Sequence, residues 1–436
     1  MAAAGSVPAP VRGVTSATVS AHTPVRKVRP ASAADSGVRA GHGAPQQRVT
    51  CENWLEPPFN RWGYGHTREL TRTARVGRGG GAVWRLPTRP IDLSTFHVLH
   101  AGERFTYVEM LQATYTDALV VVHDGELVFE YYDYGVRPDD NHLLMAVSMP
   151  LTATLVGILV SEGRLATEAP ITRYLPALAG TAWEGCTLQH VLDMRVGVDF
   201  HDDDPDDPSS DGRLLEQVAG YTTRRRDDLP ADMRAWIRTL APQGRHGGSF
   251  AYRSILADVL GWVVEEVTGE RFADVFSQRL WSRLGAEHDA DLIIDAAGFP
   301  ISGGGLCATA RDLARFGVMH LQQGLVGGAN VVPARWIDRV AHRDEALIQA
   351  FGRAGRGAPL RRGEGNPEAY FHDCWWVHHA ELGRYGGYGV GGQTLMIDRS
   401  SNTVVVKLSS TPKRVDPLLN AFADDAHEAL FRLLAA

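Results

Sequence analysis

The sequence predicts an α/β fold: an antiparallel sheet assembled from both ends of the chain and flanked by helices, with an inserted mostly helical domain. Three observations carry this expectation. Ala118 to His123 and Glu126 to Tyr132 are rich in β-forming residues and flank Asp124-Gly125, a dipeptide suited to the positive φ angles of a tight hairpin. Gln393 to Asp398 and Thr403 to Ser409, joined by Arg399 to Asn402, form a second such pair near the other end. Between the two pairs, apolar residues recur at helical spacing.

The helices follow in order. Leu151, Leu155, Ile158 and Leu159 share a face after the first hairpin, and Gly163 supplies a stop. Met233, Trp236, Ile237 and Leu240 mark one middle helix, and Ile255, Val259, Trp262 and Val263 another. Thr309 followed by Asp312 resembles a capping box that opens a helix through Leu313, Phe316 and Gly317. Pro417 to Leu433 carries Leu419, Phe422, Ala423, Ala426, Leu430 and Leu433 on a terminal amphipathic helix. The expected organisation is a discontinuous sheet domain, 48–164 and 301–436, around a helical domain, 165–300, with the ligand site in the crevice between them. Residues 1–47 are rich in Ala, Ser, Val, Pro and Gly and read as a disordered tail that cannot repay the entropy of ordering. The Arg- and Gly-rich segment from Gly352 to Pro367 reads as a rim loop.

Composition narrows the function. A chain of 436 residues, 44% of them apolar, can bury a large core. Its net charge of -7 offers no field to hold nucleic acid. Apolar runs such as Ala118 to Val122 fall far short of the roughly 20 residues that span a bilayer, so no membrane partner is expected. No uninterrupted apolar segment follows the start, which favours a cytoplasmic protein and leaves a targeting role for the tail open. Cys51, Cys186, Cys307 and Cys374 lack the spacing of a zinc site. No metal is expected, and no cofactor signature is present.

Six segments, Asn53 to Trp62, His142 to Leu165, Phe250 to Gly269, Gly303 to Gly317, Cys374 to Val377 and Gly389 to Ser409, stand in the order found in a known family. Together with the first hairpin they resemble the serine hydrolases of the class C β-lactamase and DD-peptidase fold, closest to the 6-aminohexanoate-dimer hydrolase and esterase branch. The resemblance implies a nucleophilic serine at the start of the helix after the first hairpin and a lysine three residues on. Here those positions carry Ala146 and Met149. A methyl group has no lone pair, and a neutral thioether is no base near pH 7.

The same resemblance singles out Tyr252, with Ser254 two residues later, as a tyrosine facing the nucleophile. Without the lysine it is expected to keep an ordinary phenol pKa near 10 and to act as a hydrogen-bond donor or general acid, unless it is merely a core tyrosine. Ser148 has two readings: a helix cap ahead of Pro150, or a relocated nucleophile. Gly389 to Gln393 matches an edge strand whose N–H groups cradle substrate oxygen, with Gly391 where the nearest branch often has histidine; Gly391 and Gln393 are candidate binding positions. Asp203 or Asp204, in the acidic run 201–207, could meet a cationic ligand or simply form a solvated rim. Trp376 is expected to border the cleft or pack in the core. Gly303 to Gly305 reads as a tight turn, and Cys307 as a packed thiol.

Three functions follow: a small-molecule-transforming enzyme that uses the cleft without an acyl-enzyme, a catalytically inactive binding or regulatory protein, and a serine amidase or esterase with a relocated nucleophile. The expected partner is a small molecule, amide- or ester-containing in character, and a homodimer is compatible with the fold.

Overall fold

The computed structural model describes residues 48–202, 204, 206–353 and 367–436, with backbone alone for Arg39 and Ala40. The expected N-terminal tail lies almost wholly outside the described residues, as do Asp203 and most of the expected rim loop. Strands β1 (Thr73–Val76), β2 (Thr116–His123), β3 (Glu126–Tyr132), β4 (His142–Leu143), β5 (Ala290–Ile293), β6 (Leu306–Ala308), β7 (Tyr370–His372), β8 (Trp375–His379), β9 (Arg384–Gly389), β10 (Gln393–Asp398) and β11 (Thr403–Ser409) make two sheets. The larger is antiparallel with strand order β7-β8-β9-β10-β11-β2-β3, so β11 near the C-terminus pairs with β2 near the N-terminus. The smaller runs β1-β5-β6-β4.

Local chemistry explains the hairpins. Asp124 and Gly125 take φ of 53° and 76°, the paired positive values that match the twist of β2 and β3. The central strands β2, β10 and β11 are buried along almost their whole length, because helices cover both faces. Helices α1 (Ser148–Ser161), α2 (Asp211–Val218), α3 (Ile255–Thr268), α4 (Ala310–Leu321) and α5 (Pro417–Leu434) position the elements that matter for the site. A side chain at Gly317 of α4 would come within 2.5 Å of Val404, so α4 lies tight on β11 and β10. On the other face, Phe422 of α5 packs on Phe105, and Arg384 of β9 reaches Asp398 and Glu428.

Thr309 caps α4 as its spacing predicts: its hydroxyl accepts the Asp312 N–H at 3.0 Å. Gly163 closes α1 at φ 73°. The middle segment is mainly helical, but its end, β5, crosses into the smaller sheet between β1 and β6. The β1–β5 pairing joins residues more than 200 positions apart, and no local pattern announces it.

Candidate functional site

The start of α1 sits against the end of β9 because β9 ends in glycine. A Cβ at Gly389 would approach the Leu144 carbonyl oxygen to 2.8 Å and the Ala146 nitrogen to 3.0 Å. With that approach allowed, the turn before α1 meets α3, the loop from Asp202 and the 303–304 turn around a cavity of about 140 Å³. Ala146 and Met149 form one wall with Met145 and Val390, and Tyr221, Tyr252, Ser254 and Asp258 stand among the polar groups. The rim is a charge cluster: Arg213 and Arg414 each donate to Glu56 at 2.9 Å, and both also pair with Glu216.

Tyr252 Oη donates to Met149 Sδ at 3.6 Å, and its ring stacks on Trp376 at 6.0 Å between centroids. Burial, reinforced by the fields of Asp202 and other neighbouring groups, raises the phenol well above its ordinary value. It is therefore a firmer proton holder than a phenol at an unperturbed pKa near 10 would be. Asp202 lines the cavity, and its Oδ2 accepts the Ser254 N–H at 2.7 Å; Asp203 lies outside the described residues. Asp204 is exposed, and its Oδ1 accepts the N–H groups of Asp206 and Asp207 at 3.1 and 3.2 Å, which closes a local turn.

Four other sequence candidates fall outside this cavity lining. Ser148 is fully buried, and its Oγ accepts the Leu306 N–H of β6 at 3.2 Å; it makes no side-chain cap on α1. Trp376 is buried behind Tyr252, among Phe250, Phe351 and Phe371. Gln393 spans its neighbours, accepting the Ser409 N–H at 3.0 Å and donating to the Ser409 carbonyl at 2.6 Å. Gly391, at φ 79°, gives its N–H to the Arg414 carbonyl at 2.8 Å. A Cβ there would meet the Tyr64 ring at 2.8 Å, so Tyr64 fills the space a larger side chain would need. The edge-strand expectation is also corrected: β9 is the third strand of its sheet, paired with β8 and β10.

Gly303 and Gly304 do form a turn in the cavity wall, and the Cys307 thiol is buried, with burial pushing its pKa up. Sequence reasoning passed over Asp258, Tyr221, Glu216, Arg213 and Arg414. Asp258 carried a signal, an acid inside the otherwise apolar run Ile255 to Val264. Arg213 and Glu216 stand three residues apart on α2, an ion-pair spacing that could have been read, whereas Tyr221 and Arg414 lie in loops that only the fold brings beside them.

A second group, Asp193, His372 and Asp373, places one donor atom each within 4.8 Å of the others. His372 Nδ1 lies 2.8 Å from Asp193, and Arg339 Nε lies 2.7 Å from Asp373. Burial alone would lower the imidazole pKa, but the two carboxylates outweigh it and raise it to about 9. Two cations thus balance two carboxylates, and the arrangement is satisfied as an ion network. It clamps the two-residue turn Asp373-Cys374, whose φ values of 48° and 64° lie in the left-handed region, which Asp tolerates but Cys rarely adopts.

This α/β architecture, antiparallel sheets flanked by helices with a pocket at the mouth of α1, is the β-lactamase and penicillin-binding-protein type of fold. The beta-lactamase family model matches residues 106–428, and the chain belongs to that family. It is 38% identical over 377 residues to a 6-aminohexanoate-dimer hydrolase of Paenarthrobacter ureafaciens, covering 85% of this chain and 90% of that protein. Over 149 residues it is 31% identical to the esterase EstB of Burkholderia gladioli, covering 32% of this chain and 35% of the esterase. The solved structure of a Bacillus anthracis protein described as a 6-aminohexanoate-dimer hydrolase superposes with a TM-score of 0.81 at 27% identity, covering 90% of this chain and 99% of that one. Among the described residues, no helix is long and apolar enough to cross a membrane.

Proposed function

We propose that this protein transforms a small ester or amide in the α1 cavity by direct, non-covalent chemistry, without an acyl-enzyme at the helix mouth. The observation that carries this reading is the cavity wall itself. Ala146 offers a methyl group and Met149 a thioether, and the Tyr252 hydroxyl rests on that sulfur. Neither group can attack a carbonyl or hold a nucleophile's proton. The bond class follows the relatives, one named a dimer hydrolase and one an esterase. Tyr252 stays protonated at neutral pH and, though a weaker acid than a free phenol, can still donate to a leaving alkoxide or amine that holds a proton more tightly than a phenolate does.

The relocated-nucleophile alternative gains nothing from Ser148, whose oxygen is occupied at Leu306. The test is a thermal-shift screen of small esters and amides, followed by turnover assays on the best binders with and without a serine-directed phosphonate. Turnover that survives the phosphonate supports the proposal. Saturable binding with no product would identify a binding protein instead.

A further inference from the structure

Three carboxylates line the cavity: Glu216 pairs with Arg213 and Arg414, while Asp202 and Asp258 each hold a backbone N–H, that of Ser254 and that of Gly303. Asp258 is the most deeply buried of the three. It lies on α3, is 2% exposed, and forms no ion pair with a described residue. Its Oδ1 accepts the Gly303 N–H at 2.8 Å, which fixes the carboxyl in the cavity wall that also holds Tyr252. The titratable groups facing it are the Tyr221 and Tyr252 phenols, the Asp295 carboxylate, Asp202 and, across the cavity, the Glu216, Arg213 and Arg414 cluster. No cation from these elements neutralises it.

We propose that Asp258 is the general base of this cavity, activating a water molecule that attacks the carbonyl carbon of a compact ester or amide. The inference rests on the non-covalent reading above. As the water oxygen bonds to the carbonyl carbon, one of its protons passes to the Asp258 carboxylate. The bond from carbon to the leaving oxygen or nitrogen then breaks, and the Tyr252 phenol gives its proton to that atom. The proton on Asp258 returns through solvent to the Tyr252 oxygen, which restores both groups and leaves a carboxylic acid with an alcohol or amine. No other reactant is needed. Burial above all, with Asp295 adding to it, lifts the Asp258 carboxyl to about 7 against the lowering pull of the Gly303 N–H. Such a base is both ionised in part and usefully basic near neutral pH. The cavity, about 140 Å³, is close to the roughly 150 Å³ that accommodates benzene in an apolar protein site, so the arm it takes is a short acyl chain or a single ring.

The experiment uses the full chain with 4-nitrophenyl acetate and 4-nitroacetanilide as probes, from pH 5 to 9, comparing wild type with Asp258→Asn. The amide oxygen of the variant can still accept the Gly303 N–H, so folding should survive. Wild-type kcat/KM is expected to rise through a limb near pH 7 and to be slower in D2O. The variant is expected to lose about 100-fold or more, the usual contribution of a general base, and the limb with it. A variant within threefold of wild type that keeps the limb overturns the role of Asp258 while leaving non-covalent hydrolysis intact. Absence of wild-type turnover, or a stable acyl adduct on the wild type by intact mass, overturns the underlying reading as well. Should the variant unfold, Asp258→Ala assayed with and without added formate decides the matter: rescue by formate supports the base, and a folded, fully active Ala variant refutes it.

Discussion

The His372 cluster gives a pH dependence whose size follows from the structure. In the folded protein the imidazole lies between Asp193 and Asp373, and its pKa rises from 6.5 to about 9. Because the folded value is raised, the stabilisation is fully present below pH 6.5 and is lost as pH climbs through 9. At 1.36 kcal/mol per pH unit the rise is worth about 3 kcal/mol. The His372 side chain is 12% exposed, so solvent screens this interaction weakly. The perturbation is His372→Gln, compared with wild type by equilibrium urea unfolding followed through tryptophan fluorescence at pH 6 and pH 10. The stability gap between the two proteins should be about 3 kcal/mol wider at pH 6. A gap that stays constant, or widens toward pH 10, would refute a charged His372 held by two carboxylates. The consequence reaches the cavity, since the clamped turn begins β8, whose Trp376 stacks on Tyr252.

Three further outcomes are expected. Ser148→Ala should leave the buried Leu306 N–H without its acceptor and cost about 1–3 kcal/mol, while leaving ligand affinity within twofold; a loss of turnover with full stability would return Ser148 to the chemistry. Gly157→Ala would place a methyl 2.3 Å from the Trp336 indole. The overpacking cost of about 1–3 kcal/mol should exceed the gain of about 1 kcal/mol in helix propensity, so a raised melting temperature would contradict the packing of α1 on Trp336. Tyr252→Phe keeps the stack on Trp376 but removes the proton donor, so turnover of an amide should fall more than that of an activated ester, whose leaving group needs no proton; equal losses would argue against a general acid.

Much of the fold was legible because it is written in local patterns. Asp124-Gly125, the strands on either side of Arg399 to Asn402, and the Thr309 cap each announce their element within a few residues. The smaller sheet was not, since β5 and β1 meet only through long-range pairing. The site divides the same way. Ala146, Met149 and Tyr252, read through the family resemblance, do line one cavity. The acidic run pointed to the right loop, where Asp202 turns inward to the Ser254 N–H and Asp204 turns out to close its own loop. Gln393 and Gly391 have the residue types of a binding strand, yet the backbone of Ser409 and Arg414, further along the chain, claims their polar groups. Asp258 was missed because an acid in an apolar helix face shows its meaning only when the opposite wall is known.

On the proposed reading, the mouth of α1 has no nucleophile while the cavity around it stays intact. Intact-protein mass spectrometry after treatment with a fluorophosphonate tests it directly, on wild type and on the double variant Ala146→Ser with Met149→Lys. The wild type should gain no mass, and the double variant, with a hydroxyl and an amine beside Tyr252, should gain one adduct on the residue introduced at position 146. Stoichiometric labelling of the wild type at any serine lining the cavity would contradict the account.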